Sequence, residues 1–304
     1  MPTTPSITSI TFANRPCWLL RAPQGQAIVA EHGGQVLSWV PLGGHEVLWL
    51  SAQALPPPAA TRGGIPVCWP WFGKQGMPDE GMQHGPVRNR PWQLVGAPHI
   101  SANGIVLELQ PAPETQAGDA MARFAHGLAL RLRITLDDGL TLALTTHNTR
   151  STPFPLTQAL HTYLAVGDVR QVGIAALAQR PYHDKLIDAT NQTHAHPWRY
   201  EGACDRIYSN AGGGDATTTY AVADPALQRH IHLQTQGSRS VVLWNPGPEG
   251  ARTVADMPDD AWNAFVCLET SNAGADTVTL SPGASHTLVQ RLQTTSANSG
   301  NRPA

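Results

Sequence analysis

The chain has 304 residues, 41% of them hydrophobic, with Lys+Arg 20 against Asp+Glu 22 and a formal net charge of −2. That length buries a large core, and so even a charge balance sets up no field that draws in a nucleic-acid backbone or an anionic membrane. No window approaches the ~18–20 continuous apolar residues of a membrane span, and the start MPTTPSITSITF lacks the cationic and apolar regions of a secretory signal, so a cytoplasmic protein is expected.

Period-2 alternation dominates the chain, with 28 glycines and 26 prolines supplying turns. In order, extended segments are predicted at Ala27–Glu31, Gln35–Val40, Glu46–Leu50, Trp92–Ala97 and Ile105–Gln110. The clearest signal follows from Gly127 to His147: Leu128, Leu130, Leu132, Ile134 and Leu136 share one face, Asp137-Asp138-Gly139 turns the chain, and Leu140, Leu142 and Leu144 resume the pattern. This predicts a β-hairpin. Further strands are predicted at Gln171–Leu177, Arg229–Leu233, Ser240–Trp244, Ala264–Glu269, Thr277–Leu280 and His286–Leu292.

Helical periodicity is scarce, since Pro or Gly interrupts every longer apolar stretch. The fold class expected is therefore all-β, a large antiparallel sandwich of two packed sheets with few short helices. It occupies residues 1–292 as one domain, and the polar, small-residue segment 293–304 reads as a flexible tail. Cys17, Cys68, Cys204 and Cys267 are far apart with no CxxC pair, so free thiols are expected and zinc-knuckle or dithiol redox chemistry is disfavoured. No Walker loop, GxGxxG or GxSxG is present.

Four stretches concentrate polar chemistry. Thr61–Lys74 combines Arg62 with Trp69, Trp71 and Phe72, giving apolar walls suited to sugar C–H faces and a planar fork suited to phosphate or carboxylate. A packed loop with a solvated Arg would look the same in composition. Gln83–Trp92 packs His84, Arg88 and Arg90 into ten residues. Two arginines this close can clamp an anion, with Arg88 expected to dominate, and a solvated basic loop is the alternative. His161 sits in the apolar run Ala159–Val166, either as a satisfied core histidine or as a general acid. His194, His196, His230 and His232 lack a third ligand at metal spacing. Finally, alternation puts Phe265, Cys267 and Glu269 on one face, so a carboxylate ends an apolar strand. Such a group is a raised-pKa general base or an Arg-paired structural Glu. Asp259 and Asp260 read as solvated turn residues.

The strings RGGIPVCWPWFG, QHGPVRNRPW, ALHTYLAVGD, CDRIY, VVLWNPG and DMPDDAWNAFVCLETSN occur in this order. Together they resemble the glucose-6-phosphate 1-epimerase family, the D-hexose-6-phosphate mutarotases of the galactose mutarotase-like superfamily, over about residues 15–292. The resemblance implies a β-supersandwich and ring opening at the anomeric carbon without metal or other cofactor. It makes His161 the general acid and Glu269 the general base. It places Arg62, Gln83, Arg88 and Asp205 in substrate binding, the arginines on phosphate and Asp205 on sugar hydroxyls, with His84 lining the pocket. Pro86-Val87 stand where the family usually has an aromatic and a small residue after His-Gly, which raises the expectation of a differently packed loop on the sugar.

Anomer exchange needs a proton taken from the C1 hydroxyl and one given to the ring oxygen, so one base and one acid suffice. The reaction as written starts from ionised Glu269 and protonated His161, and a bell-shaped pH profile is expected. The expected partner is a small hexose 6-phosphate, with no nucleic acid or membrane, acted on by a monomer or weak dimer. The alternatives are an aldose 1-epimerase for neutral sugars such as galactose, which shares the acid and base without the anion clamp, and a non-catalytic sugar-phosphate binder.

Overall fold

The computed structural model describes residues 4–113, 120–209 and 216–297. Two large antiparallel sheets carry the architecture. The ten-stranded sheet runs Trp198–Arg199, Gly173–Ile174, Thr218–Asp224, Arg229–Gln236, Ser285–Ser296, Leu140–Asn148, Leu128–Leu136, Gly104–Pro111 and Trp92–Leu94, with His99–Ser101 added on Gly104–Pro111. The eight-stranded sheet runs Ala189–Gln192, Tyr182–Asp184, Cys204–Ser209, Ser240–Asn245, Phe265–Asn272, Gln158–Leu160 and Val67–Cys68, with Tyr163–Ala165 added on Phe265–Asn272. A four-stranded meander, Ser6–Phe12, Arg15–Ala22, Gly25–Ala30 and Val36–Pro41, completes the main layers. Among the described residues the α-helices are short, Ala120–Phe124 and Gly247–Thr253, and none is long and apolar enough to cross a membrane.

The predicted hairpin forms, with Leu136 opposite Leu140 and residues 137–139 as the connection. Leu132, Ile134, Leu136, Leu140, Leu142 and Leu144 are fully buried, so one face of the hairpin builds the core while Arg131 and Arg133 face outward. Each such side chain contributes roughly 1.5–3 kcal/mol on burial. Opposite them in the same core lie Val241, Leu243, Val266 and Leu268 of the eight-stranded sheet. The other face of those two strands presents Val242, Trp244, Cys267 and Glu269. Phe265–Asn272 is thus buried along its whole length, one face packed on the second sheet and one turned to the cavity described below.

Three predicted segments differ. Glu46–Leu50 is irregular, entering no sheet and forming isolated bridges at Leu48 and Leu50. The Glu46 carboxylate accepts the backbone N–H groups of Trp39, Val47 and Leu48 at 2.8, 2.9 and 2.9 Å, taking donors a strand ladder would use. Gln171–Leu177 is broken into two 3₁₀ turns around Gly173–Ile174, the first capped by Asp168, which accepts from the Arg170 N–H. The final strand continues to Ser296, where it pairs with Arg229, so residues 293–296 belong to the sheet and not to a tail. Residues 298–304 of the expected tail lie outside the described residues.

Of the first two strands, which are not among the predicted segments, Arg15–Ala22 hides its alternation because it is buried on both faces and begins with a charged residue. Arg15 is 1% exposed and is satisfied by the Leu55 carbonyl at 3.0 Å and by Thr61. The four cysteines are buried free thiols.

Candidate active site

Backbone register alone brings the carboxylates together. Asp205 pairs with Trp244, which pairs with Cys267, and Ile207 pairs with Val242, which pairs with Glu269. Period-2 alternation therefore places Asp205, Trp244, Val242, Cys267 and Glu269 on one face of three adjacent strands. His161 follows the Gln158–Leu160 strand, its N–H donating to the Pro66 carbonyl at 2.9 Å, and its Nε2 lies 3.4 Å from Glu269 Oε1. Two loops cover the pair. In the first, Gly64 has φ +62°, and a Cβ there would lie 2.2 Å from the Val36 carbonyl oxygen, so only glycine lets Arg62 come in beside the sheet. In the second, Gly85 has φ +75° and a Cβ would lie 1.8 Å from the Trp69 carbonyl oxygen.

The resulting cavity, about 200 Å³, is lined by Arg62, Gln83, His84, Arg88, His161, Asp205 and Glu269, all seven residues singled out in the sequence. Phe72, Tyr163, Lys185, Val242 and Trp244 complete its wall. Arg90 is elsewhere, buried with Nη2 donating to the Ala112 carbonyl at 2.9 Å. Pro86 and Val87 point into the protein: both are buried, and the Val87 carbonyl accepts from Trp92 Nε1 at 2.9 Å. The two residues pack the loop from beneath, and neither lines the cavity. A second hollow of about 500 Å³ shares Arg62, Arg88 and Tyr163 with the first, so the two guanidiniums border both. A larger groove of about 570 Å³ lies on the Gln236–Val289 side. There His286 Nε2 meets Asn272 Oδ1 at 3.1 Å and Asp276 accepts from Asn272 at 3.0 Å, so those polar groups engage one another.

Each cation in the cavity has a distinct setting. Arg62 donates from Nε to Asp256 Oδ1 at 2.9 Å and from Nη1 to the Tyr163 hydroxyl at 3.3 Å. The Tyr163 ring in turn stacks on His161, centroids 4.9 Å apart at 11°. Lys185 Nζ meets Asp205 Oδ2 at 2.7 Å. Arg88 donates to the Gln83 carbonyl at 3.1 Å, and among the described residues no carboxylate lies within ion-pair distance of it. Arg88 Nε, His161 Nδ1 and Glu269 Oε2 are buried polar atoms without a protein partner. Buried polar groups are normally paired, and three such atoms on one cavity mark a polar ligand's place.

Electrostatics in the open cavity run opposite to the starting charges written from the sequence. Burial, followed by the positive charges of Arg88 and Arg62, pushes the His161 imidazole down to about 3. Burial, followed by the Asp205 carboxylate, pushes Glu269 well above the usual carboxylate range, against the opposing pull of Lys185 and Arg88. Both directions favour the uncharged forms, imidazole beside carboxyl, with Nε2 and Oε1 3.4 Å apart. His84, T-shaped to His161 at 5.6 Å, is pushed down to about 2 by burial first and then by Arg88. Its Nδ1 accepts the Gly73 N–H at 3.2 Å, which leaves Nε2 as the protonated nitrogen of a neutral ring. Ligand atoms of His161, Cys267 and Glu269 lie within 4.8 Å of one another, and burial followed by the neighbouring Glu269 raises the Cys267 thiol well above its ordinary value.

Sequence reasoning missed Lys185, Tyr163, Trp244 and Asp256. Lys185 carried one signal: the chain has only two lysines, and the other is Lys74. Tyr163 reads as an ordinary strand residue, and Asp256 gains its place only through a partner 194 positions away.

Comparison with known proteins agrees with this fold. The family model described as aldose 1-epimerase matches residues 16–293. A protein of Escherichia coli K12 named "Putative glucose-6-phosphate 1-epimerase" is 37% identical over 260 residues, covering 83% of this chain and 81% of its own. A protein of the same name from Salmonella typhimurium is 36% identical over 263 residues, covering 83% and 82%. The crystal structure of a "putative mutarotase" from Salmonella typhimurium superposes with a TM-score of 0.83 at 29% identity, covering 95% of this chain and 94% of that one. With an imidazole and a carboxyl held over one cavity on a two-sheet scaffold and a family match across nearly its whole length, the chain belongs to the aldose 1-epimerase family, enzymes that interconvert the anomers of sugars.

Proposed function

We propose that the protein interconverts the α and β anomers of hexose 6-phosphates, with His161 as general acid, Glu269 as general base, and Arg62 and Arg88 on the phosphate. Gln83, His84 and Asp205 face the sugar hydroxyls. The observation that carries this reading is that two guanidiniums border the cavity of the His161–Glu269 pair, one of them with no carboxylate of its own. A neutral sugar offers Arg88 only uncharged hydroxyl acceptors, whereas a phosphate accepts hydrogen bonds that are charged on both sides from both arginines. The names of the bacterial relatives point to the same substrate class.

In the reaction, Glu269 takes the proton of the C1 hydroxyl while His161 protonates the ring oxygen, and the C1–O5 bond opens to the aldehyde. Rotation about C1–C2 presents the other carbonyl face, and the same groups reverse their transfers on closure. Tyr163 and Trp244, stacked and edge-on to His161, hold the imidazole plane, and the phosphate grip keeps the chain's C1 end between acid and base.

The test is a comparison of enzyme-catalysed anomer exchange for glucose 6-phosphate, galactose 6-phosphate and free galactose by NMR. The phosphorylated sugars are expected to exceed free galactose in kcat/KM by about 10²-fold or more, the scale of two hydrogen bonds to a charged group. Equal kcat/KM values would transfer the assignment to a neutral-sugar epimerase. Binding of the phosphosugar without exchange above the spontaneous rate would make the protein a binder.

A further inference from the structure

We propose that Arg62 and Arg88 make ring opening conditional on the phosphate: they withhold the proton from His161 until a dianion neutralises them, so the phosphate raises turnover as well as affinity. This rests on the hexose-6-phosphate reading and adds to it a control at the level of kcat.

The groups facing His161 come from every surrounding element. Arg62 arrives from the 61–64 loop, His84 and Arg88 from the 83–88 loop, Lys185 from the turn after Tyr182–Asp184, and Asp205, Cys267 and Glu269 from the eight-stranded sheet. Lys185 is neutralised by Asp205, His84 is a neutral ring, and Cys267 is a buried thiol. What is left is the positive field of the two arginines, Arg62 partly offset by Asp256 at 2.9 Å and Arg88 with no carboxylate within ion-pair distance among the described residues. Arg62 also reaches His161 physically, through the Tyr163 hydroxyl it holds and the Tyr163 ring stacked on the imidazole.

The field acts unequally on the acid–base pair. Burial is the first influence on both groups; on the imidazole Arg88 and Arg62 come next, whereas on Glu269 Asp205 comes next, with Lys185 and then Arg88 pulling the other way. A dianion seated on the guanidiniums thus favours imidazolium beside carboxylate over imidazole beside carboxyl. The proton needed is already in the site: it passes from Glu269 to His161 across the 3.4 Å contact, so the pair's total charge is unchanged. The product of the transfer is the state that ring opening requires, a proton donor at the ring oxygen and a base at the C1 hydroxyl. A neutral hexose leaves the pair in its resting form.

Sulfate is the probe, because it is a dianion at all relevant pH values and a negligible proton shuttle. At constant ionic strength with sodium chloride as balance, saturating sulfate is expected to raise kcat for free glucose by about tenfold or more, the effect of one pKa unit on the acid. In the same titration, the ¹⁵N signals of His161 should move towards the imidazolium pattern between pH 5 and 7. Arg88→Met should raise kcat for free glucose without sulfate and abolish activation by it. Unchanged His161 signals on saturation, or purely competitive inhibition by sulfate, would overturn the proposal. Faster exchange of glucose 6-phosphate than of glucose, together with either of those results, would leave the substrate assignment standing and remove this inference alone.

Discussion

At the scale of single residues, the site is a problem of charge placement. Arg88 and Arg90 are two positions apart, yet one lines the cavity and the other is spent on the Ala112 carbonyl. Arg88 lies within the 3₁₀ turn Val87–Asn89 and Arg90 follows it in extended conformation, a bend that sorts the cluster as the expected dominance of Arg88 requires. The seven residues singled out beforehand converge, whereas Tyr163, Lys185 and Asp256 acquire meaning only from partners across the fold. Arg62→Ala should therefore lower kcat/KM for glucose 6-phosphate by roughly 10–10²-fold, the worth of a hydrogen bond to a charged group, and leave turnover of unphosphorylated glucose undiminished. Anomer-exchange kinetics on both sugars check this, and parallel loss on both would mean that Arg62 serves only to hold Asp256 and Tyr163.

At the scale of elements, alternation tells which face of a strand is apolar, and that was enough to place Glu269 on the face of Phe265 and Cys267. It fails where both faces are buried, as in Arg15–Ala22, or where a side chain captures the ladder's donors, as Glu46 does. The loops that complete the site depend on backbone conformation at a few points. Gly85 is one: its positive φ and the 1.8 Å approach to the Trp69 carbonyl leave no room for a methyl group. Gly85→Ala should cost about 1–3 kcal/mol of stability and displace His84 and Arg88 together. Urea unfolding and the kcat/KM for glucose 6-phosphate report the two effects, and wild-type values in both would contradict the close packing of this loop on Trp69.

For the whole molecule, the two-sheet sandwich was legible because its large hairpin and central strands alternate cleanly, while the first two strands of the N-terminal meander and residues 293–296 of the final strand were not. The fold carries the site at a cost to stability. Glu269 is 1% exposed and holds its proton to higher pH in the folded chain than in the unfolded chain. Above the ordinary value of 4.5 the unfolded state has released a proton the folded state keeps, so stability falls as pH rises from there towards the folded value. His161 works from the other side: its folded value of about 3 lies below 6.5, so stability falls as pH drops through that window. Glu269→Gln should accordingly raise Tm at pH 7.5, with the gain shrinking towards pH 4.5. A lower Tm than wild type at pH 7.5 would show that the carboxyl is stabilising as it stands.

The most direct measurement is saturation-transfer NMR of α/β exchange in glucose 6-phosphate with the wild-type protein, His161→Ala and Glu269→Gln. An acid and a base acting on opposite sides of one acetal predict rapid exchange by the wild type and a 10²–10⁴-fold lower kcat in each variant with the fold retained. Exchange at near wild-type rate in either folded variant would contradict the pair.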